Sequence, residues 1–245
     1  MLPFLLLSIR AEPEAADDEY ATFLRFTGLD EPDLPRVNLH AEDLPDLDLD
    51  LDAWSGIVLG GGPWNASEPE DRKSPQQRRA EAQLARLLDE VVARDLPFLG
   101  ACFGIGTLGV HQGGVVGRDH PEAVGPLHVT LTEEGLADPL LAGLPREFAA
   151  YGGHKESLAV LPPGAVRLAT SAACPVQAFR VGRHVYATQF HPELDLAGVC
   201  TRIEVYKDAG YFPPDQAETL KELSRAVEVE HPTRILGNFV ALHAR

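Results

Sequence analysis

Residues 74–102, SPQQRRAEAQLARLLDEVVARDLPFLGAC, decide the fold. Ala80, Leu84, Leu87, Leu88, Val91 and Val92 recur every three or four positions between Arg, Glu and Gln, the pattern of a helix with one buried face. Ser74-Pro75 supplies its start, an N-cap followed by proline in the first turn. Asp95-Leu96-Pro97 stops it, and the chain re-enters the core as the buried strand PFLGAC (97–102). Upstream, SGIVLGG (55–61) is a second apolar run bounded by glycines. Strand, helix and strand at this spacing form a βαβ unit, so a mostly parallel sheet with helices on its faces is expected.

Working outward, PFLLLSI (3–9) reads as a further buried strand and residues 14–27 as a helix. The stretch DLPDLDLDLDAW (43–54) alternates Asp and Leu and reads as an acidic, half-exposed approach to the strand at 55–61. The second half is richer in strands: LHVTLT (127–132), AVRLAT (165–170), then VQAFR and HVYATQF, which Val181-Gly182-Arg183 joins as a hairpin. After residue 194 the chain turns helical. With no internal repeat or long linker, residues 1–245 read as one α/β domain, with a core over 1–195 and a helical extension over 196–245.

The chain has 245 residues, 44% of them hydrophobic and 24% charged, with a formal charge of −16. Those values describe a globular protein and exclude wholesale disorder. So acidic a chain lacks the Lys and Arg surplus needed to displace counterions from nucleic acid or to dock on an acidic membrane. The apolar start, Phe4–Leu7, is short for a signal-peptide core, lacks a preceding basic region and runs straight into acidic sequence. A cytoplasmic location is expected, with the Asn65-Ala66-Ser67 sequon unused. Three cysteines, Cys102, Cys174 and Cys200, form neither a disulfide framework nor a zinc-ligand spacing. Scattered His111, His120 and His128 likewise suggest no metal, and Glu133-Glu134 reads as a solvated turn.

Chemistry concentrates in three places. Cys102 ends a buried strand inside G-A-C-F-G, where glycines permit the sharp strand-to-helix elbow that exposes a nucleophile. The helix that follows would favour the thiolate with its N-terminal N–H groups. His191 and Glu193 flank Pro192 in QFHPE, spaced so that in an extended segment the carboxylate reaches the ring and fixes its tautomer. Third, Gly60-Gly61-Gly62 follows a buried strand and precedes Pro63. These glycines are either a loop needing unusual backbone angles or half of an oxyanion hole, with Gly61 and Gly62 donating beside the Phe103 N–H. The lysine of a phosphate-binding loop is missing.

GACFG around Cys102, QFHPE at 189–193 and the glycine-proline loop at 60–63, in this order, resemble the class I (triad) glutamine amidotransferases. Residues 152–193 are especially similar to stand-alone members like the glutaminase half of GMP synthase. The resemblance implies a flavodoxin-like fold with a small antiparallel hairpin region, and release of ammonia from glutamine through a cysteinyl γ-glutamyl thioester. Cys102 would be the nucleophile, His191 the acid and base, and Glu193 its orienting group. The loop 151–157 would bind the substrate, through Gly152, Gly153 and His154, and no cofactor or metal is called for. The sequence departs from the family where G-x-C-x-G-x-Q becomes GACFGIG: Gly106 replaces a glutamine that contacts substrate. Losing such a bond to a charged group costs about 1.5–3 kcal/mol. A hydrolase of γ-glutamyl amides or conjugates with the same triad is therefore the alternative, and a non-catalytic binding relative the third reading. The chain carries no synthetase motif, so ammonia would go to a separate synthetase partner or be released. A homo-oligomer is also compatible with the sequence.

Overall fold

The protein is described here by a computed structural model covering residues 1–44 and 50–245. The acidic stretch read at 43–54 falls in part on 45–49, outside the described residues. Its end, Leu51–Ala53, is a single helical turn that buries Leu51.

Strands β1 (Phe4–Ser8), β2 (Arg36–Asn38), β3 (Gly56–Leu59) and β4 (Phe98–Ala101) run parallel in the order β2-β1-β3-β4, with β11 (Val185–Thr188) parallel beside β4. Their continuous apolar runs follow from burial on both faces. Phe4, Leu6, Val58, Leu99 and Tyr186 point to one side, against α1 (Pro13–Thr27) and α7 (Arg234–His243). Leu5, Leu7, Ile57, Leu59, Phe98, Val185 and Ala187 point to the other, against α2 (Pro75–Ala93) and α3 (Phe103–His111). The start of α2 is as the sequence predicts: the Ser74 side chain accepts from the Gln77 N–H at 3.0 Å.

The rest of the nine-stranded sheet is antiparallel: β10 (Ala178–Val181), β9 (Val166–Thr170), β6 (Glu122–Leu131) and β7 (Glu147–His154) continue beyond β11 in that order. The predicted hairpin is β10–β11, and its turn is fixed by a partner distant in sequence. Gly182 has φ +58, and the Asp95 carboxylate accepts the Arg183 and His184 N–H groups at 2.9 and 3.0 Å. The antiparallel part extends well past this hairpin. Residues 151–157, expected as a loop, mostly belong to β7, and a small second sheet pairs β5 (Val115–Gly117) with β8 (Ser157–Val160).

A short helix, α4 (Glu133–Ala137), follows β6, and three α-helices lie beyond residue 195: α5 (Leu196–Val205), α6 (Ala217–Arg225) and α7. The last is no peripheral extension. Its Ile235, Leu236 and Phe239 are fully buried in the main core, and the Phe239 and Phe4 rings lie 5.8 Å apart.

Candidate active site

The parallel strands all end on one edge of the sheet, where an open α/β fold leaves a crevice. β4 delivers Cys102 there at φ +52, a conformation that costs a non-glycine residue energy and marks a strained elbow. The Cys102 N–H is tied to the Thr188 carbonyl at 2.8 Å, which locks the elbow to β11. A Cβ on Gly100 would meet the Gly104 backbone at 2.9 Å, so glycine is required there. Position 104 differs from expectation: a Cβ on it would make only ordinary contact with Leu59 at 3.7 Å. α3 begins at Phe103, so its first N–H groups, that of Phe103 included, have no partner within the helix.

β11 leads to the second element. His191 and Glu193 lie in a turn rather than an extended segment, pinned by the His191 N–H on the Tyr151 carbonyl of β7 at 2.9 Å. The turn, not strand alternation, brings Glu193 Oε1 to 2.7 Å from His191 Nδ1. The ring lines one cavity with Cys102. Burial works against a charged imidazole, yet Glu193 and then Cys102 outweigh it and push His191 up to about 9. Burial also opposes ionisation of Glu193, but His191 and then Arg202 hold it down at about 2.

Gly60-Gly61-Gly62 follows β3. None of the three has positive φ, so the loop is glycine-rich for space rather than for backbone angles. A Cβ on Gly61 would come within 2.4 Å of the His191 ring and 3.1 Å of the Cys102 Cβ, and one on Gly62 would strike Ile9 at 2.6 Å. The backbone of Gly61 is thereby held against both Cys102 and His191.

Of the expected substrate-binding residues, Gly152 and Gly153 line a cavity with Cys102 and His191. The Gly153 backbone runs so near Val124 that a Cβ would sit 2.7 Å from its Cα. His154 lines a second cavity with Cys102 and Phe103, its Nδ1 facing the Glu156 carbonyl and its Nε2 facing Glu122 Oε2, each at 2.8 Å. Glu122, His154 and Cys174 form a second close Cys-His-Glu group. Its thiol is fully buried, which pushes Cys174 up to about 11. Glu122 is held below its ordinary value despite burial, by His154, Ser171 and Gln177.

Two features had no local signal in the sequence. Behind Glu193 lies a buried charge cluster from three elements: Arg10 Nε bonds Glu19 Oε1 at 2.9 Å, and Arg202 lies 3.7 Å from Glu19 and 3.5 Å from Glu193. Glu19 also touches Gly60, where a Cβ would fall 2.7 Å from its carboxylate. The second feature is Glu156, whose carboxylate accepts the Ala66 and Ser67 N–H groups at 2.7 and 2.9 Å. It stands 3.1 Å from where a Cβ on Gly106 would be. The space a glutamine at 106 would enter therefore holds Glu156.

A strained cysteine elbow, a histidine-carboxylate pair and a glycine loop at the carboxyl edge of a mixed sheet define a hydrolase-type crevice on an α/β fold. The chain belongs to the class-I glutamine amidotransferase family, whose sequence model matches residues 34–198. It is 31% identical over 140 residues to a subunit of the glutamine-hydrolyzing GMP synthase of Methanoculleus marisnigri, a match covering 57% of this chain and 65% of that one. It is 33% identical over 171 residues to the glutamine-hydrolyzing GMP synthase of Thermomicrobium roseum, covering 68% of this chain and 29% of that longer protein. Among solved structures, a glutamine amidotransferase of Thermotoga maritima superposes with TM-score 0.77 at 22% identity, covering 99% of this chain and 98% of that one. A glutamine amidotransferase of Methylobacillus flagellatus gives 0.70 at 18% identity, covering 98% and 93%; both likenesses concern the fold. No helix among the described residues is long and apolar enough to cross a membrane.

Proposed function

We propose that the protein hydrolyses the side-chain amide of glutamine or a γ-glutamyl amide through a thioester on Cys102. The observation that carries this reading is the buried His191 ring, bonded to Glu193 and lining one cavity with Cys102. In this mechanism the Cys102 sulfur attacks the amide carbon, and the developing oxyanion is met by N–H groups of the Gly61-Gly62 loop and of Phe103. His191 protonates the departing nitrogen, then takes a proton from the water that cleaves the thioester. Glu193 holds the ring in its productive tautomer throughout. Gly152 and Gly153 contact the substrate through their backbone, while the His154 ring, engaged by Glu122, braces that backbone instead. Cys102 is preferred over Cys174 because a buried thiol held protonated to about 11 is a poor nucleophile.

The Methanoculleus relative is named as one subunit of its synthase, which supports a separate synthetase chain as recipient of the ammonia. The chemistry on this chain uses Cys102, His191, Glu193 and backbone donors. The test is labelling with a glutamine-directed diazo-ketone followed by mass spectrometry. Added mass at Cys102, lost in Cys102→Ala and retained in Cys174→Ala, is expected. Equal labelling of Cys102→Ala and the unaltered protein would refute the assignment.

A further inference from the structure

Cys102 stands between two cavities, and their walls differ in chemistry. Gly62, Cys102, Gly153 and Tyr211 border both. One cavity contains Phe103, whose N–H would serve the oxyanion, together with Asn65, Glu156 and Gln189. The other contains His191. In amide cleavage the departing nitrogen must face the group that protonates it, so the His191 side is the side of the leaving amine. That cavity opens to solvent at its mouth. The wall is Val124, Leu194, Val199, Tyr206, Tyr211 and Phe212. Two cations border it: Arg10 is paired with Glu19 at 2.9 Å, while Arg202, 3.7 Å from Glu19 and 3.5 Å from Glu193, keeps Nε and Nη2 without hydrogen-bond partners.

We propose that this cavity receives the apolar substituent of a γ-glutamyl amide, so that the protein cleaves γ-glutamyl conjugates of uncharged, apolar primary amines in preference to glutamine itself. The proposal rests on the hydrolase reading above and names its substrate class. Three elements build the wall. Val124 comes from β6; Leu194 and Val199 enter and line α5; Tyr206, Tyr211 and Phe212 follow on the segment after that helix. The last four of these wall residues, Val199 among them, lie beyond the stretch 34–198 that matches the family. Tyr211 is the partition between the two cavities. The Lys155 ammonium sits 4.1 Å from its ring centroid and holds it by a cation–π contact. Tyr206 is anchored in turn, its hydroxyl accepting from Arg10 Nη1 at 3.1 Å and donating to Glu12 at 2.9 Å. These contacts pre-form the apolar wall, which lowers the cost of seating a substituent on it.

The chemistry balances without any further reagent. The Cys102 sulfur adds to the amide carbon, and the C–N bond breaks with its electron pair on nitrogen. That nitrogen takes the His191 proton and departs as a neutral primary amine along the apolar wall. Water then adds its oxygen to the thioester carbon, returns a proton to His191 and releases glutamate and the thiolate.

The experiment compares L-glutamine with γ-glutamylbenzylamide by glutamate release, because ammonia and benzylamine are similarly basic leaving groups. The expected kcat/KM is about tenfold or more higher for the benzylamide, the scale on which an apolar pocket discriminates. In Phe212→Ala the benzylamide-to-glutamine ratio falls about tenfold, and in Phe212→Leu it largely recovers, because the larger apolar side chain refills the wall. If glutamine is hydrolysed and the benzylamide is no better, the inference falls while the hydrolase reading stands. If neither is hydrolysed and the diazo-ketone leaves Cys102 unlabelled, both fall.

Discussion

Replacing Glu193 by Gln tests the electrostatic core of the site. Glu193 is fully buried, and its Oε1 is 2.7 Å from His191 Nδ1. His191 is raised from an ordinary 6.5 to about 9, although burial alone would lower it; the carboxylate is the largest opposing influence and Cys102 the next. A displacement of that size corresponds to about 3 kcal/mol favouring the imidazolium over the neutral ring. Glutamine preserves an acceptor for Nδ1–H but removes the charge, so the His191 midpoint should fall to about its ordinary value or below. The sign of the stability change follows from linkage. His191, raised on folding, stabilises the protein fully below its unfolded value of 6.5 and ceases to do so as the pH climbs through about 9. Glu193, lowered from 4.5 to about 2, stabilises it above 4.5 and ceases to do so as the pH falls through about 2. Between 4.5 and 6.5 both contributions are present, so Glu193→Gln should lose most melting temperature relative to the unaltered protein there and progressively less towards pH 9. The assays are an NMR titration of the His191 ring and thermal melts across that range. Identical His191 midpoints in the two proteins would refute the reasoning.

Gly61→Ala should abolish turnover while leaving the protein folded, since its Cβ would fall 2.4 Å from the His191 ring; unchanged kcat/KM would show that the loop does not hold the ring. Gly106→Gln should lower turnover and melting temperature rather than restore a substrate contact, because the new side chain starts 3.1 Å from both Glu156 and Ala66; a faster glutaminase would show that Glu156 gives way. Phe239→Ala should cost about 3–5 kcal/mol in denaturant unfolding, the usual range for emptying a buried phenylalanine site, because that ring is 1% exposed against Phe4. A loss below about 1 kcal/mol would place α7 outside the cooperative core.

The strands β1, β3 and β4 and helix α2 were readable because each carries its own signal: an unbroken apolar run for a strand covered on both faces, a three-four repeat for a helix covered on one. Strands β2, β5 and β8 have three or four residues each and exist through their partners, so local pattern cannot announce them. The glycine pair in β7 looked like a loop. Gly152 and Gly153 are glycines because Leu127 and Val124 of the neighbouring strand press on their Cα positions.

The sequence by itself determined the central βαβ order, the cysteine at its elbow and the family, because each of those signals is written in a short run of consecutive residues. It also presented His191 and Glu193 as a pair, though through the wrong geometry: a turn pinned to Tyr151, not an extended strand, joins them. Only the tertiary structure brought a second Cys-His-Glu group, Glu122, His154 and Cys174, together, and buried its thiol fully while Cys102 stays partly exposed. It alone assembled Arg10, Glu19 and Arg202 behind Glu193 from positions nearly two hundred residues apart. The reason is the range of the forces: periodicity records contacts along one element, whereas the field at a buried carboxylate is summed over every element packed around it.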